Sequence, residues 1–155
     1  MQLNIGDHGL QVDDTLLATT TDIEKLFAAN SKNITLCKGI DLHIFDSTGI
    51  TVINHTHETL ISHEFRIYLN TNSGNNFYVP KEHYNGEILF FNHRIKKGIN
   101  SSIGEIIAKQ KFKINSETIW TKGISSYCKK NDNALIGVEI NENNEIHIIS
   151  VLRRC

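Results

Sequence analysis

The chain has 155 residues, of which 39% are hydrophobic and 21% charged, and its formal net charge is −1. This length allows one sizeable core, and the absence of any purely polar block excludes a wholly disordered chain. No apolar run approaches the ~18 residues of a membrane span, and the first residues lack the basic and apolar segments of a secretory signal. The three cysteines are widely spaced and form neither a disulfide framework nor a zinc pattern, so we expect a cytoplasmic protein.

The first predicted elements are a hairpin and a short helix. Apolar residues at 10–12 and 16–17 flank Asp13 and Asp14, which predicts a hairpin that turns at these two acids. Thr21 with Glu24 three positions later is typical of a capping box, which predicts that a helix begins here. The apolar face of this helix consists of Ile23, Leu26 and Phe27.

From residue 40 the hydrophobic period changes to two, which predicts an antiparallel meander. One strand reaches Phe45, turns at Gly49 into a second strand, and is followed by a third at residues 60–69. The Asn- and Ser-rich residues 71–76 predict a loop that separates the two halves of the chain.

The second half predicts the same elements in a similar order. A strand at residues 87–91 precedes a second capping box, formed by Ser102 and Glu105, and its helix. Residues 118–121 and 124–128 then form a predicted hairpin around Gly123. Residues 135–141 and 145–152 form another, which turns at residues 142–144.

Both halves contain a segment in which an aromatic residue, a polar turn and Gly-Ile lead into a strand. The segments are Phe45-Asp46-Ser47-Thr48-Gly49-Ile50 and Trp120-Thr121-Lys122-Gly123-Ile124. We therefore predict an α+β fold made of two diverged copies of a strand–helix–antiparallel meander unit, packed as one layered body. The copies would be roughly residues 1–76 and 77–155 of a single compact domain.

Charge is unevenly distributed between the halves. Residues 1–76 contain nine acidic and four basic residues, whereas the remainder contains eight acidic and twelve basic residues. Such an asymmetry can steer a charged partner. The candidate partner-binding residues lie on predicted turns or solvent faces of the acidic half: Asp13, Asp14, Asp41 and Asp46.

No catalytic or metal-binding motif is recognisable. The most metal-like group consists of His55, His57, His63, Glu58 and Glu64. Because metal ligands must converge on one point, and these residues are divided between a turn and a strand, we expect no metal and no cofactor. Cys37 and Cys128 lie in no nucleophile motif, and no phosphate-binding loop is present, so we expect a binding protein rather than an enzyme.

The lysines of the second half define a nucleic-acid-binding alternative. They are Lys96, Lys97, Lys109, Lys111, Lys113, Lys122, Lys129 and Lys130. The aromatic residues near them, Phe112 and Trp120, are expected to face the core rather than to stack on bases. Because the whole chain is also close to neutral, nucleic acid is not the partner that we expect.

A resemblance adds to this interpretation. Residues 10–12, the capping-box segment 20–26 and the segment 45–50 resemble small uncharacterised bacterial families, as do residues 80–88 with the helix that follows. In those families a helix precedes an aromatic-Asp, polar, Gly-Ile turn, whereas Trp120-Thr121 replaces the aromatic-Asp pair in the second half. The families are often encoded beside secreted polymorphic toxins, as presumed immunity proteins.

The resemblance implies a function in bacterial competition, including type VI secretion. The protein would bind a cognate toxin that acts in the cytosol and occlude the toxin's active site, and the family supplies no catalytic residues. An acidic face would suit a basic nuclease best, and charge reversal at the four aspartates would then weaken binding. The alternatives that remain are a nucleic-acid-binding module that uses the lysines, a small enzyme that uses cysteine or histidine, and an adaptor with a different protein partner.

Overall fold

The computed structural model describes residues 2–58, 60–70, 78–98, 100, 102–117, 123–132 and 134–153, which form two sheets and two short helices. The five-stranded sheet has the spatial order β3 (Thr15–Leu16), β2 (Gly9–Val12), β1 (Gln2–Gly6), β8 (Glu87–Phe90), β9 (His93–Ile95). The eight-stranded sheet has the order β10 (Lys113–Glu117), β11 (Ile124–Lys130), β12 (Ala134–Asn141), β13 (Ile146–Arg153), β7 (Leu60–Tyr68), β6 (Ile50–His57), β5 (Ile40–Phe45), β4 (Lys32–Cys37). The helices are α1 (Thr20–Phe27) and α2 (Ile103–Lys109).

The predicted α+β fold of two strand–helix–meander copies is wrong, because the protein is mostly β. Strands account for 55% of the residues and helices for 11%. Strands β1, β4 and β10 occupy stretches for which the sequence predicts none. β4 and β10 are the edge strands of the large sheet, whereas Gln2–Ile5 of β1 does alternate between half-buried and buried residues, a signal that the prediction did not use. The strand that pairs with β11 is β10, and the predicted strand at 118–121 lies outside the described residues, as do predicted loop 71–76 and Trp120.

The two Gly-Ile segments, which suggest the copies, occupy different places in the large sheet. Gly49 immediately precedes β6, which pairs with β7 near the middle of the sheet. Gly123 precedes β11, which is separated from the middle strand β13 by β12. The meanders β4–β7 and β10–β13 instead meet through the antiparallel pair of β7 and β13.

The main core lies between the two sheets. Four side chains, one from each of β6, β7, β13 and β12, form a cross-strand row on the inner face of the large sheet: Val52, Phe65, Val151 and Ile136. The small sheet contributes buried residues such as Leu3, Ile5, Ile88 and Phe90 to the same cluster. The buried apolar area of this cluster, at roughly 25 cal/mol per Å², is the main stabilising contribution.

The helices close this core at positions close to the predicted ones. In α1, the Asp22 carboxylate accepts hydrogen bonds from the amides of Ala18 (2.7 Å) and Thr19 (2.9 Å), so the cap lies two residues before the predicted Thr21. Burial opposes ionisation of Asp22, but these bonds prevail and lower its pKa. Ser102 is the N-cap of α2 without the predicted side-chain hydrogen bond.

At β12 and β13 the outer face of the large sheet, which points away from the small sheet, is half-buried. Toward β5 and β6 the same face carries a second buried cluster, which consists of Leu42, Ile44 and Ile53. Along β12, residues alternate between buried side chains on the inner face and partly exposed ones on the outer face. The outer-face residues of β12 are Leu135, Gly137 and Glu139, and β13 adds Ile148, Ser150 and Leu152. In this part of the sheet, the alternation is the pattern of strands that are covered on one side only.

A candidate binding surface on the outer sheet face

A row of polar residues crosses the outer face of the large sheet. From β11 to β6, the register places Cys128, Gly137, Ser150, Arg66 and Thr51 directly opposite one another. Because residues paired in an antiparallel sheet point to the same face, these side chains share one surface. All of them except Thr51, which is buried, line a cavity of about 280 Å³ that we call the outer groove.

An ion-pair cluster lies on the β7 side of the outer groove. The Glu64 carboxylate contacts the Arg66 guanidinium, with Oε1 3.2 Å from Nε, and its Oε2 lies 3.4 Å from His55 Nε2. Burial acts against ionisation of Arg66, but Glu64 and Tyr68 outweigh it and raise the guanidinium pKa. Arg66 is therefore charged, and Glu64 is its partner.

Glu139 is the second carboxylate of the outer groove. In the register it lies between Ser126 on β11 and Ile148 on β13. Burial raises the pKa of Glu139, the nearby Arg66 opposes the shift, and Glu64 adds to it. Among the described residues, no hydrogen bond or ion pair engages Glu139, so this carboxylate is half-buried without a partner.

Basic residues gather at the adjacent corner of the sheet. An open cavity of about 440 Å³, which we call the lysine hollow, is lined by Lys109, Gln110, Lys111, Lys113, Cys128, Lys129 and Lys130. Lys129 donates to Asp7 Oδ1 (2.9 Å) and to Gln110 (3.1 Å). The other four lysines are exposed and form no ion pair with described residues.

The end of α2 explains why these lysines lie together. Lys111 follows the helix with φ +58°, a left-handed conformation that reverses the chain, and its amide donates to Ala108 O (3.1 Å). The next residue, Phe112, packs against the rings of Phe90 (5.9 Å) and Phe91 (5.6 Å). This contact holds the start of β10 beside β11 and thereby brings Lys111 and Lys113 to the lysines of β11.

Cys128 joins the outer groove to the lysine hollow, because it lines both cavities. It pairs with Lys113 on β10 and with Gly137 on β12, so the surface is continuous across three strands. Half-exposed aliphatic side chains from the same face lie between the charged groups: Leu135, Ile148 and Leu152. Apolar contacts interspersed with charged groups are typical of a protein-binding interface.

The structure does not bring the four predicted partner-binding aspartates together. Asp13 and Asp14 form the exposed turn of the β2–β3 hairpin, which confirms that hairpin, and both have positive φ. Asp41 lies near the start of β5 in the large sheet and accepts a hydrogen bond from Thr35 Oγ1 (2.8 Å). Asp46 lies beyond the opposite end of β5, where its Oδ1 accepts a hydrogen bond from the amide of Lys81 (3.1 Å).

The metal-like histidines are also separated. His55 points to the outer face, where it contacts Glu64, whereas His63 points to the opposite face, with Nδ1 2.6 Å from Asn54 Oδ1. His57 and Glu58 are exposed at the β6–β7 turn. Within the described residues, no group of three or more His, Cys, Asp or Glu side chains could hold a metal ion.

Glu139 and the Glu64–Arg66 pair were not predicted from the sequence as parts of a binding surface. From the sequence, Glu64 was considered only as a member of the metal-like group, and Arg66 was assigned no role. A signal for Glu139 exists in the chain, because it is the one acid within the apolar run of β12, ALIGVEIN. The lysines were recognised, although their convergence depends on the β10–β11 pairing.

These features define a mostly β protein whose larger sheet presents a charged groove on its outer face. No protein-family model, curated protein or solved structure matches the chain. In the part of the chain that the structure describes, neither helix is long and apolar enough to cross a membrane.

Proposed function

We propose that this protein is an inhibitor that binds a cognate bacterial toxin acting in the cytosol and covers the toxin's active site. The observation that carries the proposal is the continuous surface formed by the outer groove and the lysine hollow. The resemblance to immunity proteins supports a toxin as the partner. The proposed contact surface thus differs from the predicted acidic patch of Asp13, Asp14, Asp41 and Asp46, which stays a prediction.

The composition of this surface favours a protein partner over nucleic acid. The outer groove contains the carboxylates of Glu64 and Glu139 and three half-exposed aliphatic side chains. Carboxylates would repel a phosphate backbone, and protein surfaces that bind nucleic acid are strongly basic. A protein with acidic and basic groups in matching positions would complement both parts of the surface.

The direct test is to purify the tagged protein from its native host and to identify proteins that co-purify at stoichiometric amounts. We expect one toxin-like domain, and we expect that co-expression of this protein restores the growth of cells that produce the domain. If the domain remains equally toxic in the presence of the protein, or if only nucleic acid co-purifies after a salt wash, the proposal is wrong.

A nucleic-acid-binding function is the second candidate, and the four exposed lysines of the lysine hollow are the observation that favours it. Each phosphate contact would add about 0.9 to the slope of log K against log salt for duplex DNA. Binding that weakens steeply with salt and is lost in the variant with Gln at Lys109, Lys111, Lys113 and Lys130 would support this function. The absence of binding at low salt would exclude it.

A further inference from the structure

Glu139 is the charged group of the outer groove whose interactions are incomplete. The guanidinium nearest to it, that of Arg66, is held by Glu64 through contacts of 3.2 and 3.5 Å. The Glu139 oxygens are not fully buried, so water solvates them, but the partial burial of this residue weakens that solvation and raises its pKa. The site would be completed by a donor from outside the described chain.

Gly137 and Ser150 form the floor of the outer groove beside this carboxylate. Gly137 lies two residues before Glu139 on the same face of β12, and it faces Ser150 in the register. A Cβ added at Gly137 would collide with Ser150 Oγ, so the Ser150 hydroxyl already occupies the position above this glycine.

The walls of the outer groove are suited to a long side chain with a charged end. Leu135, Ile148 and Leu152 are half-exposed on the same face as Glu139 and would contact an aliphatic stem. Arginine and lysine bury such a stem while their charged group reaches a polar partner. The cavity, at about 280 Å³, has room for one side chain of this size.

We infer that the outer groove receives a cationic side chain of the partner protein, with Glu139 as its counter-ion and the aliphatic residues of β12 and β13 as the contacts of its stem. This inference rests on the proposed function, because it assigns one contact of the inhibitor–toxin interface. It also fixes the polarity of that interface: the partner presents a basic residue to Glu139 and acidic residues to the lysine hollow.

The test measures binding of a small cation to the whole protein in the absence of a toxin. N-acetyl-arginine amide is titrated and followed by the amide resonances of Ser126, Gly137 and Ser150 in two-dimensional NMR. N-acetyl-citrulline amide, which has nearly the same shape and no charge, is the matched probe. We expect saturable shifts with the arginine probe, and at least about tenfold weaker binding by citrulline, because a charge-assisted contact is lost.

Two variants complete the test. Glu139→Gln keeps the size of the side chain and should weaken arginine binding about tenfold or more, whereas Glu142→Gln, at the exposed turn of the same hairpin, should leave it unchanged. A thermal melt verifies that both variants are folded. Equal binding of the two probes, no saturable shift, or unchanged binding by Glu139→Gln would overturn the inference.

These results are separable from a failure of the proposed function. If a toxin is captured and neutralised but the probe does not bind near Glu139, only the cation site is wrong. If the arginine probe binds as expected but no toxin is captured or neutralised, the site stands and the inhibitor function falls.

Discussion

The Glu64 carboxylate holds the Arg66 guanidinium two residues along the same strand, with a shortest contact of 3.2 Å. Both side chains point to the outer face of β7, so the pair is formed within one strand and requires no neighbouring element. Such an intrastrand pair at a half-exposed site contributes about 0.2–1 kcal/mol to stability. Its larger consequence is that Arg66 does not pair with Glu139.

The substitution Glu64→Gln should therefore lower the pKa of Glu139. The negative charge of Glu64 raises the pKa of Glu139, and the substitution removes this charge. The substitution also releases Arg66, whose positive charge lowers the pKa of Glu139. Both effects act in the same direction. The measurement is a carbon-13 NMR titration of the Glu139 side-chain carboxyl in the wild type and the variant, and an unchanged or higher pKa in Glu64→Gln would contradict the arrangement described for the outer groove.

Replacing Glu139 itself should stabilise the protein at neutral pH. Burial raises the folded-state pKa of Glu139 above the ordinary value of 4.5, so the folded state holds its proton more tightly than the unfolded state does. The stability that the protonated Glu139 contributes is therefore complete below pH 4.5, and it is lost as the pH rises through the folded-state pKa.

Glu139→Gln is accordingly expected to raise the free energy of unfolding by about 1 kcal/mol at pH 7, the scale of an unsatisfied partly buried group. The gain should disappear below pH 4.5. Urea denaturation at several pH values measures it, with Glu142→Gln as the control at an exposed position of the same hairpin. A destabilised Glu139→Gln variant at pH 7 would show that the carboxylate has a partner.

Acid should destabilise the protein through two histidines. Burial lowers the pKa of His63 below 6.5, with Arg153 adding to the effect, and burial likewise lowers the pKa of His147. The unfolded state then binds protons more readily, so the stability that these groups contribute is complete above pH 6.5 and is lost as the pH falls through their folded-state values.

The variant with Gln at both His63 and His147 should show a weaker fall in unfolding free energy between pH 7.5 and pH 5 than the wild type. The matched control has Gln at His57, which is exposed at the β6–β7 turn. Identical pH profiles for the wild type and the double variant would contradict the assignment of acid sensitivity to these two histidines.

Gly49 is expected to tolerate no side chain. Its φ is +75°, and an added Cβ would collide with the backbone of His83 and Tyr84, where the Tyr84 amide donates to Tyr68 O (2.9 Å). Gly49→Ala should therefore reduce the free energy of unfolding by about 1–3 kcal/mol or more.

Gly104→Ala provides the matched control for Gly49→Ala. Gly104 lies in α2, and nothing lies within 4 Å of an added Cβ. Alanine at this position should stabilise the protein by about 0.5–1 kcal/mol, because glycine is a poor helix former. Urea denaturation of the two variants should thus give shifts of opposite sign, and equal shifts would contradict the tight contact at Gly49.

The parts of the fold that could be predicted are those with a local signal. The turn at Asp13 and Asp14, the hairpin of β12 and β13 and the positions of both helices follow from alternation and turn residues within short windows. The parallel pairing of β1 with β8 and the pairing of β7 with β13 join residues about 80 positions apart. No local pattern encodes them, and they decide which side chains share the outer face.

The candidate surface also depends on contacts that no local sequence pattern encodes. The surplus of lysines in the second half is visible in composition, but their convergence requires the left-handed Lys111 and the pairing of Lys113 with Cys128. Conversely, Asp41 and Asp46 are close in sequence but lie at opposite ends of β5, on the order of 15 Å apart at ~3.3 Å per residue. Proximity in sequence therefore does not decide whether these aspartates share one surface.

Affinity measurements on three variants test most directly whether the proposed toxin binds to the outer face of the large sheet. The outer-face variant has Gln at Lys109, Lys111, Lys113, Lys130 and Glu139. The matched control has Gln at four exposed lysines elsewhere, Lys25, Lys81, Lys96 and Lys97, and at Glu142. The third variant has Lys at Asp13, Asp14, Asp41 and Asp46.

With the co-purified toxin domain as the ligand, we expect the outer-face variant to lose at least about tenfold in affinity, because interface charges set both encounter rate and specificity. The control and the aspartate variant should bind like the wild type. Full affinity of the outer-face variant, together with weak binding of the aspartate variant, would contradict the claim and assign the interface to the acidic residues instead.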